Sequence, residues 1–357
     1  MKRHLALFTT KVPYHSSHSG YEQLIRYIDA QDVVFRVRKN AENFWIKNLE
    51  RALRQFTASK WYMWDGVEAE WATWRKSRKH GDALISHFLY GDNAIGLLPY
   101  FNHKLAGKLI LSIHACPSDL GEILQKPKIL KRVDALVLLG SNQKDFFLEN
   151  GIPEKKLHVI PHGVDTEYFV PDDRNQFHTN NRKTFEILMV GNWRRNFPFY
   201  RRVAERFLND SRFHFKVISQ NHHRFHFENL PNVSFYSNVP DAFLKQAYQE
   251  SDVLLLGLQD AVANNVLLEA MACGLPVVSE KIGALPEYLS LDKGFYVSPN
   301  DDGAAANFIK ELQSNKNLWL NKREEMITES KVFKWENVAQ QVEILYDKVS
   351  KKKSDNA

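Results

Sequence analysis

Residues 264–278, NNVLLEAMACGLPVV, give the clearest indication of the fold. Two asparagines, Asn264 and Asn265, are good N-caps for the apolar helical pattern that follows them, and Gly274 is typical of the residue just past a helix C-terminus. The run LPVVSE (275–280) then predicts a buried strand. A capped helix leading directly into a buried strand is the repeating unit of an α/β sheet.

The same alternation runs through the whole chain. Runs rich in Val, Ile and Leu predict strands at 4–10, 32–37, 82–88, 108–114, 134–140, 185–191, 213–219, 252–258 and 275–280. Amphipathic, helix-like stretches separate these runs. Near-continuous apolar runs are typical of parallel strands covered on both faces, so the pattern predicts doubly wound α/β sheets.

Length and composition favour two domains of this kind. A chain of 357 residues is too long for one ordinary core, and 44% hydrophobic residues are enough for a globular protein. The polar segment 170–183 has no periodicity and reads as a linker. We therefore predict an N-terminal domain over 1–170 and a C-terminal domain over 184–332.

Charge and cysteine content narrow the function classes only slightly. The net charge of +6 and the pI near 9.0 are compatible with an anionic partner. Cys116 and Cys273 form no CxxC pattern, so neither a disulfide framework nor a zinc site is expected. No run is apolar enough for a signal peptide or a membrane span, which predicts a cytoplasmic protein.

The helix that begins at Asn264 and Asn265 predicts an anion site. Its first backbone N–H groups lack partners within the helix, and the positive end of its dipole lies there, which suits a diphosphate. Glu269 lies one turn further on, where a carboxylate can accept hydrogen bonds from the two ribose hydroxyls of a nucleotide. The alternative is a helix that carries an ordinary surface glutamate.

The segment GNWRRNF (191–197) follows another predicted strand. Gly191 marks a turn at the carboxyl end of that strand, where α/β sheets bind ligands. Arg194 and Arg195 follow, and a guanidinium can pair with phosphate in a bidentate manner. The alternative is a pair of exposed loop arginines.

Three residues of the first half are further candidates. His87 and His114 each end a predicted buried strand, at the same expected sheet edge, and both could face a ligand. For His87 we expect contact with an acceptor or a membrane. Gly20 precedes a predicted helix and permits a close approach of the backbone to a ligand. For each histidine, a purely structural role is the alternative.

A tryptophan-rich segment interrupts the α/β pattern. Trp61, Trp64, Trp71 and Trp74 are spaced so as to share one broad helical face, and basic residues follow at 75–79. Such a face can lie in a bilayer interface and attract anionic headgroups, or contact an acceptor. The alternative is that these side chains cover the sheet.

Five segments together resemble the retaining glycosyltransferases of family 4. They are PHGVDTEYF (161–169), NNVLLEAMACGLPVVSEKIGALPEYL (264–289), SDVLLLGL (251–258), LGSNQKDFFLENGIPEKKLHVI (139–160) and FKWENVAQQVEILY (333–346). The resemblance implies the GT-B fold, in which two Rossmann-like domains face a central cleft. It also implies that the last helix, at 335–350, returns to the N-terminal domain.

The resemblance also implies roles for the candidate residues. Glu269 would hold the donor ribose, and Arg194 or Arg195 would neutralise the departing diphosphate, assisted by the helix start. Gly20 would lie beside the phosphates, and His114 would lie near the donor sugar and acceptor. No metal ion or cofactor is implied, and the donor would be a UDP- or GDP-linked sugar.

Two positions depart from the family pattern. The family usually has a glutamate eight residues before the position of Glu269, where this chain has Ala261, although Asp260 adjoins it. The family also often has an Arg and a Lys five residues apart in the phosphate loop, where Asn192 and Phe197 stand here. We therefore expect unusual sugar contacts.

The functional expectation is transfer of a sugar, with retention, to a glycan or lipid-linked acceptor in the synthesis of cell-surface polysaccharide, lipopolysaccharide or glycolipid. The protein would be cytoplasmic, with peripheral contact to the anionic inner face of the membrane. Two alternatives stay open: a glycosyltransferase that modifies nucleic acid or protein, and a catalytically inactive nucleotide-binding scaffold.

Overall fold

A computed structural model describes residues 3–11, 16–37, 44–62, 64–94, 96–101, 105–172 and 182–351. Most of the predicted linker therefore lies outside the described residues. The structure divides into two compact units. Unit 1 takes the described residues of Met1–His15, Ser19–His162 and Trp335–Ala357, and unit 2 takes those of Ser16–His18 and Gly163–Lys334.

Unit 1 is built on a six-stranded parallel sheet of order β2-β1-β3-β4-β5-β6. Its strands are β1 His4–Lys11, β2 Asp32–Val37, β3 Leu84–Phe88, β4 Lys108–Ile113, β5 Ala135–Leu138 and β6 Leu157–Val159. Its α-helices are α1 Phe44–Arg54, α2 Trp64–His80, α3 Gly91–Ala94, α4 Leu98–Phe101, α5 Pro117–Ile123 and α6 Lys144–Glu149. A 3-10 helix, Tyr21–Arg26, follows the loop after β1.

Unit 2 repeats the same design with a second six-stranded parallel sheet, of order β12-β11-β10-β7-β8-β9. The strands are β7 Phe185–Val190, β8 Phe213–Ile218, β9 Val233–Tyr236, β10 Val253–Leu256, β11 Val277–Glu280 and β12 Phe295–Val297. The α-helices are α7 Phe197–Glu205, α8 Asp241–Glu250, α9 Asn265–Ala272, α10 Leu285–Tyr288, α11 Asp302–Ser314 and α12 Lys316–Ser330.

Strands β7 and β10, in the middle of the sheet of unit 2, are apolar on both faces, and both faces are covered. Successive side chains of a strand point to opposite sides of the sheet. Accordingly Leu188 and Val190 of β7 join one apolar cluster, whereas Ile187 and Met189 join the other. This two-sided burial explains the near-continuous apolar runs, and it confirms the predicted α/β class with two Rossmann-like sheets.

The last helix, α13 (Trp335–Lys351), is part of unit 1. Its inner face buries Trp335, Val338, Val342 and Tyr346. The Tyr346 hydroxyl lies 2.6 Å from Nδ1 of His87, in the middle of unit 1. None of the helices among the described residues is both long and apolar enough to cross a membrane.

Candidate functional site

The strand order of unit 2 creates a ligand-binding position. From β7 the chain builds outward through β8 and β9, and it then returns to β10 on the other side of β7. The loops after β7 and β10 therefore leave the sheet side by side at its carboxyl edge. In open α/β sheets this switch point is where ligands bind.

Backbone hydrogen bonds join these two loops to each other. The amide of Asn196 donates to the carbonyl of Gly257 at 3.1 Å, and the amide of Gln259 donates to the carbonyl of Arg194 at 2.9 Å. Arg195 and Leu258 form an antiparallel bridge between them. These bonds join residues 194–196 and 257–259 into a short antiparallel ribbon at the switch point.

The structure separates the two candidate arginines. Arg195 is 8% exposed and folds under the loop, where Nε donates to the carbonyl of Val190 at 2.7 Å and Nη1 donates to that of Trp193 at 3.2 Å. Arg194 is only partly buried and has a positive φ of 54°. Arg194 therefore lies closer to solvent, and Arg195 supports the loop from beneath.

Gly191 is required by this arrangement. Its φ of 109° is one that residues with a side chain rarely adopt. A Cβ at this position would also collide with the guanidinium of Arg195. The glycine at position 191 therefore has a local explanation: it leaves room for the Arg195 side chain.

Helix α9 begins beside the loop that follows β10. The side chain of Asn264 accepts a hydrogen bond from the amide of Leu267 at 3.1 Å, as expected of an N-cap. Asn265, the first helical residue, is partly exposed. The capped helix start thus lies after the carboxyl end of a strand at the switch point, where its dipole can attract an anion.

Glu269 lies one turn into α9 and is buried. One of its oxygens accepts a hydrogen bond from the hydroxyl of Tyr248 at 2.8 Å. Burial, with the neighbouring Glu269 charge, raises the pKa of Tyr248 well above its usual value, so the tyrosine stays a donor. A carboxylate has two oxygens and can accept about four hydrogen bonds in all.

Ala261 lies within the same loop and its backbone is engaged. Its amide donates a hydrogen bond to the Asp260 carboxylate at 2.8 Å, and its carbonyl accepts one from the amide of Ala284 at 3.1 Å. The Asp260 oxygen thus turns back on its own chain.

Glu280, which the sequence reasoning missed, organises the site from below. It is fully buried at the end of β11 and accepts hydrogen bonds from Asn196 Nδ2 at 3.0 Å, Leu258 N at 3.0 Å and Asn300 N at 2.7 Å. It thereby ties together the loops after β7, β10 and β12. The available signal was a carboxylate that ends an apolar strand run, VVSE (277–280).

In unit 1 the structure brings Gly20 and His114 into one cluster. The amide of Tyr21, next to Gly20, donates to the hydroxyl of Tyr90 at 3.0 Å. The ring of His114 stacks on that of Tyr90 at 4.6 Å and meets the edge of Tyr21 at 5.0 Å. Burial lowers the pKa of His114, so its ring is neutral near pH 7. Gly20 has a φ of 99°.

The interpretation of His87 as an acceptor-facing residue is wrong. Its ring is fully buried within β3, with Nδ1 2.6 Å from the Tyr346 hydroxyl and Nε2 2.8 Å from Ser112 Oγ. Burial lowers its pKa to about 3. The returning helix α13 covers the residue, so it is a neutral part of the core rather than a ligand contact.

The prediction that four tryptophans share one helical face is also wrong. Helix α2 begins at Trp64, whereas Trp61 lies in the preceding turn, where its amide donates to Ser59 Oγ at 3.1 Å. Trp61 packs against the core of unit 1. Trp71 and Trp74 do stack, at 4.9 Å. The turn at Ser59 keeps Trp61 out of the helix, although the spacing of the tryptophans in the sequence is that of a helix.

One group of described side chains could in principle hold a metal ion. His4, Asp32 and His80 offer donor atoms within 4.8 Å of one another. However, the ammonium of Lys76 lies 2.6 Å from the Asp32 carboxylate, and the two imidazole rings are stacked at 3.6 Å. These residues belong to unit 1, and His4 and Asp32 begin their strands, away from the carboxyl edge.

Comparison with known proteins agrees with this geometry. Residues 184–315 match the family model described as Glycosyl transferases group 1. A stretch of 126 residues is 29% identical to N-acetyl-alpha-D-glucosaminyl L-malate synthase of Bacillus anthracis, covering 29% of this chain and 32% of that protein. The matched stretches span only 6% to 32% of the length of the curated relatives.

Two solved structures resemble the whole chain. Sucrose-phosphate synthase from Thermosynechococcus elongatus has a TM-score of 0.72 at 15% identity, over 97% of this chain and 99% of that one. HepE from Anabaena, in complex with UDP and glucose, has a TM-score of 0.70 at 14% identity, over 97% and 100%. The chain therefore has the GT-B fold, and its residues 184–315 match the model of the glycosyl transferases group 1 family.

Proposed function

We propose that the protein transfers a sugar from a nucleotide-diphosphate sugar to a hydroxyl group of an acceptor. One observation carries this proposal: the ribbon at the switch point of unit 2 places two arginines beside a loop that leads into the capped start of α9. Cationic side chains and a helix start are what a diphosphate requires. The family match over 184–315 supports the same chemistry.

The proposed reaction needs charge stabilisation and positioning rather than a protein nucleophile. The bond between the anomeric carbon and the diphosphate oxygen breaks, the acceptor oxygen bonds to that carbon on the same face, and the acceptor proton passes to the leaving diphosphate. Arg194, with the start of α9, would stabilise the developing charge. Retention of configuration and independence of metal ions follow from this scheme and are part of the proposal.

Glu269 and His114 complete the proposed assignment. The buried Glu269 carboxylate would accept hydrogen bonds from the ribose hydroxyls. The hydrogen bond from Tyr248 would hold the carboxylate in position for this contact. His114 is neutral and hydrogen-bonded to the carbonyl of Leu89 at 2.7 Å, so it would orient a sugar or acceptor hydroxyl rather than carry charge.

A panel of UDP-, GDP- and ADP-sugars tests the proposal by thermal stabilisation. A ligand present at a hundred times its Kd adds about 2.7 kcal/mol, which is roughly 5–10 °C for a unit of this size. We expect one base to stabilise the protein, and EDTA to leave turnover unchanged. Absence of a shift with every sugar nucleotide would overturn the proposal, and loss of activity in EDTA that Mn²⁺ restores would overturn its metal independence.

Two further outcomes distinguish the alternative functions. Binding of a nucleotide diphosphate without any transfer or hydrolysis of its sugar would indicate an inactive scaffold. Binding to DNA that weakens steeply with salt would indicate a nucleic-acid acceptor. We propose a glycan or lipid-linked acceptor instead, because unit 1 exposes an aromatic surface.

The aromatic surface of unit 1 also supports a proposed location at the membrane. Trp71 is 55% exposed on α2 and stacks on Trp74, over which Arg78 lies at 5.1 Å. Exposed indole rings next to basic side chains suit an anionic bilayer interface.

Sedimentation with vesicles tests this location. We expect binding to vesicles that contain phosphatidylglycerol and little binding to phosphatidylcholine alone, with a loss on Trp71→Ala. The control is Ile344→Ala, which removes another exposed apolar side chain from α13. Equal binding by the Trp71 variant and the wild type would exclude the α2 surface as the membrane contact.

A further inference from the structure

Trp193 is the most exposed large hydrophobic side chain among the described residues. It lies in the loop after β7, and 65% of its surface is accessible. A single exposed apolar residue is ordinary on a protein surface. Trp193 differs because its loop is closely tied to the rest of unit 2 and lies at the switch point.

The neighbours of Trp193 are fixed by hydrogen bonds. The side-chain oxygen of Asn192 accepts from Ser219 Oγ at 2.8 Å and from the amide of Gln220 at 2.5 Å. The guanidinium of Arg195 is held by backbone carbonyls beneath the loop. The exposure of Trp193 is therefore set by a rigid backbone and is not the result of an untethered loop.

The backbone next to Trp193 is also strained. Arg194 has a φ of 54°, which costs a residue with a side chain about 1 kcal/mol or more. The guanidinium carbon of Arg194 lies 5.9 Å from the centroid of the indole ring. Strain of this kind persists where surrounding structure imposes it, and it is concentrated at binding and catalytic sites.

We propose that the indole of Trp193 binds the apolar face of a pyranose ring. This inference rests on the proposed function and names a contact that the function does not require. Within unit 2, Glu269 would hold the ribose and the loop from Gly191 would hold the diphosphate. The group beyond the diphosphate, on the side away from the ribose, is the sugar, and Trp193 lies two residues from Gly191.

The stacked ring can come from the donor or from the acceptor, and both offer the same chemistry. Pyranoses present a face of C–H groups that packs on an aromatic ring, and such ring contacts are worth about tenfold in affinity. Calorimetry separates the two sources. The first arm compares UDP with UDP-glucose and GDP with GDP-mannose, and the second titrates methyl glucoside and methyl mannoside into the protein saturated with nucleotide.

The variants are Trp193→Ala, Trp193→Leu and Trp193→Phe. We expect the Ala and Leu variants to lose about tenfold in affinity for the sugar in one of the two arms, with binding of the bare nucleotide unchanged. The Phe variant should keep most of the affinity for the sugar. Trp193→Leu retains apolar bulk, so its loss isolates the ring. Ile344→Ala controls for removal of an exposed apolar side chain elsewhere.

Three results would overturn the inference. Equal losses for UDP and UDP-glucose would place the indole against the nucleobase. Unchanged affinity in both arms would leave Trp193 without a sugar contact. If the wild type binds no nucleotide of the panel, the proposed function itself fails and the stacking site fails with it, an outcome that differs from the first two.

Discussion

Replacement of Glu280 by alanine is expected to loosen both loops at the switch point. Asn196 Nδ2 and the amides of Leu258 and Asn300 each lose an acceptor, although Asn196 Nδ2 keeps a second one in Asn300 Oδ1 at 3.2 Å. A buried donor left without a partner costs about 1–3 kcal/mol. Because the two amides lose the acceptor that Glu280 provides, we expect a loss of about 2–6 kcal/mol in the free energy of unfolding.

Urea denaturation of the wild type, Glu280→Ala and Glu280→Gln measures this cost. The glutamine keeps one acceptor oxygen and the shape of the side chain, so its loss should be smaller than that of alanine. Glu122→Ala is the matched control, since that carboxylate is 78% exposed and should change stability by less than about 0.5 kcal/mol.

The same variants give a second readout on ligand binding. Glu280 is fully buried and accepts hydrogen bonds from the loops after β7, β10 and β12, so its replacement should weaken nucleotide binding by displacing those loops. A Glu280→Ala protein with the stability of the wild type would refute the reasoning, because the three hydrogen bonds could not then be what fixes the loops.

Three further predictions follow from local geometry. Gly191→Ala should lower the free energy of unfolding by about 1–3 kcal/mol and weaken nucleotide binding, because the added Cβ would displace Arg195. The melting temperature measures the first effect and calorimetry measures the second. Asn264→Ala should lose about 1 kcal/mol in urea denaturation, because the first turn of α9 loses its cap. His87 has a pKa of about 3 when folded and 6.5 as the unperturbed value, so unfolding takes up a proton below pH 6.5. Its contribution to stability is complete above pH 6.5 and falls by up to about 1.4 kcal/mol per pH unit as the pH drops towards 3; His87→Phe should remove that slope in urea titrations at several pH values.

The sequence predicts the fold well where local signals agree. Asn264 caps α9 as expected, and the helix gives way to a buried strand after Gly274, whose φ is 71°. Burial of β7 and β10 on both faces of the sheet follows from their apolar runs. Caps, turn glycines and apolar periods are properties of neighbouring residues, so they can be read without the tertiary structure.

Long-range pairings could not be read in this way. His87 looks like a strand-end ligand until Tyr346, which is 259 positions away, covers it. Glu280 looks like a surface residue until three loops converge on its carboxylate. The two adjacent arginines look equivalent, and only the turn at Arg194 sends one inward and the other outward.

Unit 1 and unit 2 share a feature that bears on where the phosphates bind. Each has a glycine with positive φ in the loop after its first strand, Gly20 at 99° and Gly191 at 109°. The side chain packed against Gly191 is the Arg195 guanidinium, whereas the one packed against Gly20 is the Glu22 carboxylate. We therefore expect the loop of unit 2 to favour an anion, and the Glu22 carboxylate to oppose anion binding beside Gly20.

Glu22→Gln tests whether Gly20 lies beside the phosphates, as the family resemblance implies. Like charges about 6 Å apart repel by about 0.7 kcal/mol in water and by more at a partly buried site, so removal of the charge should tighten nucleotide-diphosphate binding at least threefold. Glutamine keeps an oxygen for the Tyr90 hydroxyl, which donates to Glu22 at 2.5 Å, so the cluster around His114 is retained. Glu122→Gln removes one exposed negative charge from the same unit and controls for net charge. The gain should shrink as salt screens the repulsion. If affinity does not change while Glu122→Gln is also silent, the phosphates do not bind beside Gly20.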